Sequence, residues 1–192
     1  VVKLIKDSGI NCFLDLKLHD IPNTVSGAVR SAVKTGADMM TIHISGGRAM
    51  IVSALKSARD ESHALGIKSP KIVGVSVLTS LGGDDLKDIG IDKDPARQVE
   101  HLAIFAASLG IDGLVCSAED LPKVRPNVPG SILLITPGIR PGWSQQGDQK
   151  RIATPSSALR EGADLLVIGR PISESPDPIQ AVQKIISEME AA

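Results

Sequence analysis

Tyrosine is missing from this 192-residue chain, and its only other aromatic residues are one tryptophan and two phenylalanines. Proteins that grip single-stranded nucleic acid stack bases on aromatic rings, so this composition argues against such a role. Net charge is −1, from 21 basic and 22 acidic residues. There is no excess of one sign to hold nucleic acid or an anionic membrane. No apolar run approaches the roughly 20 residues of a membrane-crossing helix, and no signal-peptide pattern opens the chain. Cysteine occurs twice, at Cys12 and Cys116, each in apolar, strand-like surroundings. They read as reduced core residues of a cytosolic protein, not as a disulfide or a metal pair. Dinucleotide and P-loop glycine patterns are absent, as is any zinc or nucleophile-triad spacing, so redox and ATP-driven roles have no support.

What is present is an ordinary globular balance, 42% hydrophobic and 22% charged. It suffices for one sizeable core, so residues 1–192 are read as a single domain. One theme recurs along it. An amphipathic stretch ends at a glycine, and an apolar strand-like run follows. Gly9, Gly36, Gly66, Gly110 and Gly162 hold this place, before CFLDL, MMTIHI, KIVGVSVLT, GLVCSA and LLVIGR. Glycine just past a helix end takes the left-handed conformation at no steric cost. Asp94-Pro95 and Thr154-Pro155 pair a capping residue with proline at the first helical position. Six strands are predicted, near 12–18, 39–44, 71–78, 113–117, 132–136 and 164–169. Helix and strand alternating with short joints means a parallel sheet wrapped by helices.

Polar residues gather at the C-terminal ends of those strands. Asp15, Lys17 and Asp20 end the first, and His43-Ile44-Ser45-Gly46-Gly47 the second. Thr79-Ser80, Ser117, Thr136-Pro137-Gly138 and Gly169-Arg170 end the others. Convergence from nearly every strand suits the mouth of a (β/α)8 barrel better than the crevice of a doubly wound sheet. Such a barrel needs eight strands. The chain opens Val1-Val2-Lys3 with neither Met nor a loop, so the reading is an α/β barrel lacking its first two βα units.

The first strand, F-L-D-L-K-L-H-D at 13–20, carries the most unusual chemistry. Strand alternation puts Phe13, Asp15 and Lys17 on one face and Leu14, Leu16 and Leu18 on the other. Charges among strand hydrophobes are expensive unless paired. One reading is a structural ion pair with a surface acid after it. The other is an active site: an ammonium between carboxylates can protonate a carbanion, and a carboxylate aimed at a substrate carboxylate favours loss of CO2. That combination points to decarboxylation.

At the last strand, Gly169 allows close backbone approach to a phosphate and Arg170 offers a charged fork. Loops after the last strands of such barrels commonly hold phosphate. The preceding segment, P-G-I-R-P-G-W-S-Q-Q-G-D-Q-K-R, has the composition of a lid, with Arg140 and Gln149 near its ends. His43 reads as a hydrogen-bonded structural histidine and Ser45-Gly46-Gly47 as a turn.

These motifs resemble one family. D-L-K-L-H-D-I-P-N-T at 15–24, V-L-T-S at 77–80, T-P-G-I-R-P at 136–141, G-D-Q-K-R at 147–151 and V-I-G-R-P-I at 167–172 are similar to the bacterial branch of the orotidine 5′-phosphate decarboxylases. The resemblance implies a (β/α)8 homodimer, cytoplasmic, without metal or organic cofactor, converting orotidine 5′-monophosphate to uridine 5′-monophosphate. It implies that Lys17 protonates C6 of the pyrimidine and that Asp15 lies against the substrate carboxylate. Asp20, Ile21 and Thr24 would reach into the neighbouring subunit's site. Thr79 would contact the pyrimidine edge, and Gln149 would bridge base and phosphate. Arg140, Gly169 and Arg170 would hold the phosphate. The family's further Asp on its first strand and Lys on its second have no counterpart in the chain, and an open six-stranded piece would expose two sheet edges. Two other readings stay open: a Mg²⁺-dependent sugar-phosphate decarboxylase or aldolase of the same superfamily, and a barrel fragment that binds nucleotides without turnover.

Overall fold

The computed structural model describes residues 1–144 and 153–191. In chain order the elements are α1 (Val2–Asp7), β1 (Phe13–Leu18), α2 (Pro22–Val33), β2 (Met39–His43), α3 (Gly47–Leu65), β3 (Lys71–Val75), α4 (Gly83–Asp88), α5 (Pro95–Ala107), β4 (Gly113–Val115), α6 (Leu121–Val124), β5 (Leu133–Thr136), α7 (Pro155–Arg160), β6 (Leu165–Leu166), α8 (Arg170–Ser173) and α9 (Pro178–Glu190). All six predicted strands are present, each inside its predicted span. The packing divides into two compact units, Val1–Ser76 with Phe105–Leu114, and Val77–Ile104 with Val115–Ala192.

In the first unit β1, β2 and β3 run parallel. β2 and β3 stay in register over five residue pairs, from Met39 opposite Lys71 to His43 opposite Val75. Met40, Ile42, Ile72 and Val73 are essentially fully buried there, each contributing about 1.5–3 kcal/mol through lost apolar surface. Gly74 sits mid-strand because nothing larger fits: a Cβ would lie 2.7 Å from Ile44 and 2.8 Å from Ile111. Helices α2 and α3 pack against each other. α2 buries Val25, Val29 and Val33; α3 buries Met50, Ile51, Ala54 and Ala58, all at helical spacing. A polar pair buried between them, Ser26 and Ser57, is satisfied by its own hydroxyl–hydroxyl bond of 2.7 Å.

In the second unit β5 and β6 run parallel, with Ile135 opposite Leu165 and Thr136 opposite Leu166. Cys116, just past β4, donates its amide to the Ile135 carbonyl at 3.2 Å. Both cysteines are free and buried, as the sequence predicts. Burial pushes the Cys116 thiol up to about 12, which leaves it an unreactive core group.

The glycine theme is realised throughout. Gly9, Gly36, Gly66, Gly110 and Gly162 all have positive φ. Gly66 shows the mechanism: at φ 64° it closes α3 and returns its amide to the His63 carbonyl. The proline starts are also capped, with Asp94 accepting from the Arg97 amide and Thr154 from the Ser157 amide.

Three of the glycines are followed, two residues on, by aspartate, and each aspartate does the same thing. Asp38 accepts from the Cys12 amide at 2.7 Å and donates its own amide to the Cys12 carbonyl. Asp112 does so with Ile72 at 2.8 Å, and Asp164 with Leu134 at 2.7 Å. Each therefore ties the entry of its own strand to the preceding strand. Lys6 and the Cys12 amide together hold the Asp38 carboxyl below its usual value.

Candidate active site

The chemistry predicted for the end of β1 is organised differently from simple alternation. Phe13 and Leu14 pair with Met39 and Met40, but Leu18 pairs with Ile42. Four steps along β1 therefore match two along β2, and the ladder is interrupted between. Inside the interruption Lys17 has φ 50°, the only positive φ at a non-glycine among the described residues. The expected uninterrupted period of two, with Leu14, Leu16 and Leu18 on one face, is corrected on this point. Leu16 is 45% exposed.

The irregularity brings charges together. The Lys17 ammonium is ion-paired and hydrogen-bonded to Asp15 Oδ2. Asp15 Oδ1 accepts from the Thr41 hydroxyl at 2.8 Å. The same hydroxyl accepts from the Lys17 backbone N–H at 2.8 Å. Thr41 was not singled out in the sequence. The available signal is a hydroxyl at a central position of the otherwise apolar M-M-T-I-H-I run, two residues before His43. His43 itself packs against the His19 ring, with centroids 5.4 Å apart. Burial first, then the neighbouring His19 and Lys17, push its pKa down.

Asp20 does not join the pair. It is exposed, its carboxylate accepts from the adjacent Ile21 amide at 2.6 Å, and it forms no ion pair among the described residues. Within the chain, the Lys17 ammonium is held by one carboxylate, that of Asp15. Ile21 precedes the first residue of α2 and Thr24 lies in its first turn, both exposed. Their side chains point away from a packed interior, since Ile21 is 68% exposed.

The second unit holds a separate group of predicted residues. A cavity of about 520 Å³ is lined by Arg140, Trp143, Ser144, Arg170, Pro171 and Glu174, among others. Arg140 follows β5; its backbone N–H donates to the Ala153 carbonyl at 2.8 Å, which anchors the segment. Its guanidinium is buried and donates to the neighbouring Ile139 carbonyl. It forms no ion pair among the described residues. Gly169 immediately precedes α8 and Arg170 opens it. Trp143 lies at the cavity with Lys184 over its ring at 5.8 Å. Thr79 lies half-buried in the turn after β3. Gln149 lies outside the described residues.

Parallel strands with a helix after each, and polar groups at their C-terminal ends, define an α/β protein of the barrel class. Comparison with known proteins narrows this. The model of the "Orotidine 5′-phosphate decarboxylase / HUMPS family" matches residues 1–185. The orotidine 5′-phosphate decarboxylase of Moorella thermoacetica is 44% identical over 190 residues, covering 98% of this chain and 75% of that protein. That of Rhodospirillum rubrum is 46% identical over 189 residues, covering 98% and 76%. The crystal structure of the Lactobacillus acidophilus orotidine 5′-phosphate decarboxylase superposes with a TM-score of 0.86 at 36% identity, covering 98% of this chain and 79% of that one. The chain belongs to the orotidine 5′-phosphate decarboxylase family. Among the described residues no helix is long and apolar enough to cross a membrane.

Proposed function

We propose that the chain carries out the reaction for which its relatives are named, loss of CO2 from orotidine 5′-monophosphate to give uridine 5′-monophosphate in pyrimidine synthesis, with Lys17 and Asp15 as the reacting groups. The observation that carries this is the combination of a strained Lys17 and an exposed ion pair. Lys17 and Asp15 side chains are 41% and 49% exposed. A pair that open contributes about 0–1 kcal/mol to stability. A left-handed lysine costs about 1–3 kcal/mol. The arrangement is thus a net cost to folding, which disfavours the purely structural reading of the pair.

In the reaction Asp15 lies against the substrate carboxylate and disfavours it in the ground state. As the C6–CO2 bond breaks, its electron pair stays on C6, and the Lys17 ammonium lies ready to donate a proton there. Arg140 and Arg170 hold the 5′-phosphate, with Gly169 allowing close backbone approach. Arg140 supports this role because its buried guanidinium has no carboxylate partner among the described residues, and a buried cation favours binding an anion. Binding energy gathered at the phosphate holds the base against the charged pair. Thr79 contacts the pyrimidine edge and Gln149 bridges base and phosphate. The enzyme works as a homodimer in the cytoplasm, with Asp20, Ile21 and Thr24 directed to the partner subunit's site, which accounts for their exposure.

The test follows the loss of orotidine 5′-monophosphate absorbance with wild type and Lys17→Ala. Turnover by wild type with a folded, inactive variant supports the reading. Wild-type activity in the variant would remove Lys17 from the mechanism.

A further inference from the structure

The structure assigns a positioning role to Thr41, a residue outside the D-x-K-x-x-D motif, and this rests on Asp15 and Lys17 being the reacting pair. A lysine in the left-handed region is sterically disfavoured and persists only where its surroundings impose it. The ladder between β1 and β2 cannot impose it, because that ladder is broken between Leu14 and Leu18. Thr41 sits inside the break, between the partners Met40 and Ile42. Its hydroxyl supplies what the ladder does not, accepting the Lys17 N–H at 2.8 Å.

The second bond gives this a chemical consequence. A hydroxyl has one proton to donate. Thr41 directs it to Asp15 Oδ1 at 2.8 Å. That leaves Oδ2 for the Lys17 ammonium. One side chain therefore orients the carboxylate and holds the backbone that carries the ammonium. Thr41 is 1% exposed, so water has little room to take over either bond. The β-branched side chain has few rotamers, which adds stiffness. Nothing requires Thr41 to touch the substrate. Its effect is to keep two groups in the geometry that the reaction uses.

The experiment compares Thr41→Val and Thr41→Ser with Lys17→Ala in the whole enzyme, each checked for folding by thermal melting. Valine keeps the shape and deletes both hydrogen bonds. A displacement of about 1 Å at a reacting group costs on the order of 100-fold. Thr41→Val is expected to lose about that factor in kcat, while KM and the Kd for uridine 5′-monophosphate stay within about threefold of wild type. Thr41→Ser keeps the hydroxyl and is expected to recover most of the loss. Thr41→Ala replaces valine in the comparison if valine does not fold. Wild-type kcat in the valine or alanine variant, beside an inactive Lys17→Ala, would overturn the role of Thr41 and leave the reacting pair standing. Equal losses for serine and valine would overturn it too, because the hydroxyl would then be irrelevant. An active Lys17→Ala would instead overturn the underlying reading.

Discussion

The end of β1 and the cavity around Arg140 and Arg170 solve opposite problems. At β1 a charge of each sign is present, and the two satisfy each other before any ligand arrives. At Arg140 a buried cation forms no ion pair among the described residues. The first arrangement pairs its charges around a left-handed lysine; in the second, no carboxylate among the described residues pairs with Arg140. The first is carried mainly by two strands, whose backbones set positions closely. The second is carried by a connecting segment and a four-residue helix, whose positions depend on their loops. Groups that act on a bond belong on the stiffer support, and groups that capture a remote handle tolerate the looser one.

The largest effect separating the two comes from the pair itself. Lys17→Ala is expected to lower kcat at least about 1,000-fold, within the range of general acid catalysis. The double variant with Asp15→Asn is expected to be little worse than the single, because groups that act as a unit are not additive. Single-turnover assays of Lys17→Ala, Asp15→Asn and the double variant check this, and independent, multiplying losses would break the picture of one assembled unit. Next comes Arg140→Ala, expected to lower kcat/KM about 10- to 100-fold, as for loss of a charge-assisted hydrogen bond. With the phosphate-free nucleoside as substrate the Arg140 deficit should nearly vanish, while that of Lys17 should persist. A deficit of equal size on both substrates would remove Arg140 from phosphate binding.

Smaller effects fall on the framework. Asp112→Ala leaves the buried Ile72 amide without its carboxylate and should cost about 1–3 kcal/mol, read from urea unfolding. Asp164→Ala should cost at least as much, since Asp164 also pairs with Arg125 at 3.1 Å. The smallest effect is a pH dependence. The folded pKa of His43 lies below 6.5, so the unfolded chain binds more protons there. Its contribution makes stability rise with pH up to about 6.5 and flatten above. The melting temperature of His43→Gln should therefore fall less than that of wild type as pH drops from 7 to 5. Parallel curves would show that His43 titrates alike in both states.

Much of this was legible in the sequence because it is local. A glycine ending a helix, a proline after Asp94 or Thr154, and an apolar run after each need no knowledge of neighbours. The grouping of Asp15 with Lys17 was legible from strand period. The conformation of Lys17 was not, because nothing in F-L-D-L-K-L-H-D departs from alternation. Its cause lies in Thr41 on another strand, 24 residues away. Likewise Asp38, Asp112 and Asp164 stood in plain view after their glycines. Their carboxylates act on residues 26, 40 and 30 positions earlier, which only the strand order reveals. The place of Asp20 is not local either: its carboxylate accepts from the adjacent Ile21 amide and is not paired with the Lys17 ammonium of its own chain.

Those three aspartates have a wider consequence. Neighbouring parallel strands are joined by long crossovers, so no tight hairpin fixes how one slides along the other. A slip of one residue moves a strand about 3.3 Å and turns every side chain to the opposite face. Each aspartate makes such a slip costly, since its paired bonds to one residue would break together. Alignment is thereby decided where the strands begin. Their far ends are relieved of that duty, and can change side chains, or adopt a left-handed lysine, without the sheet losing count.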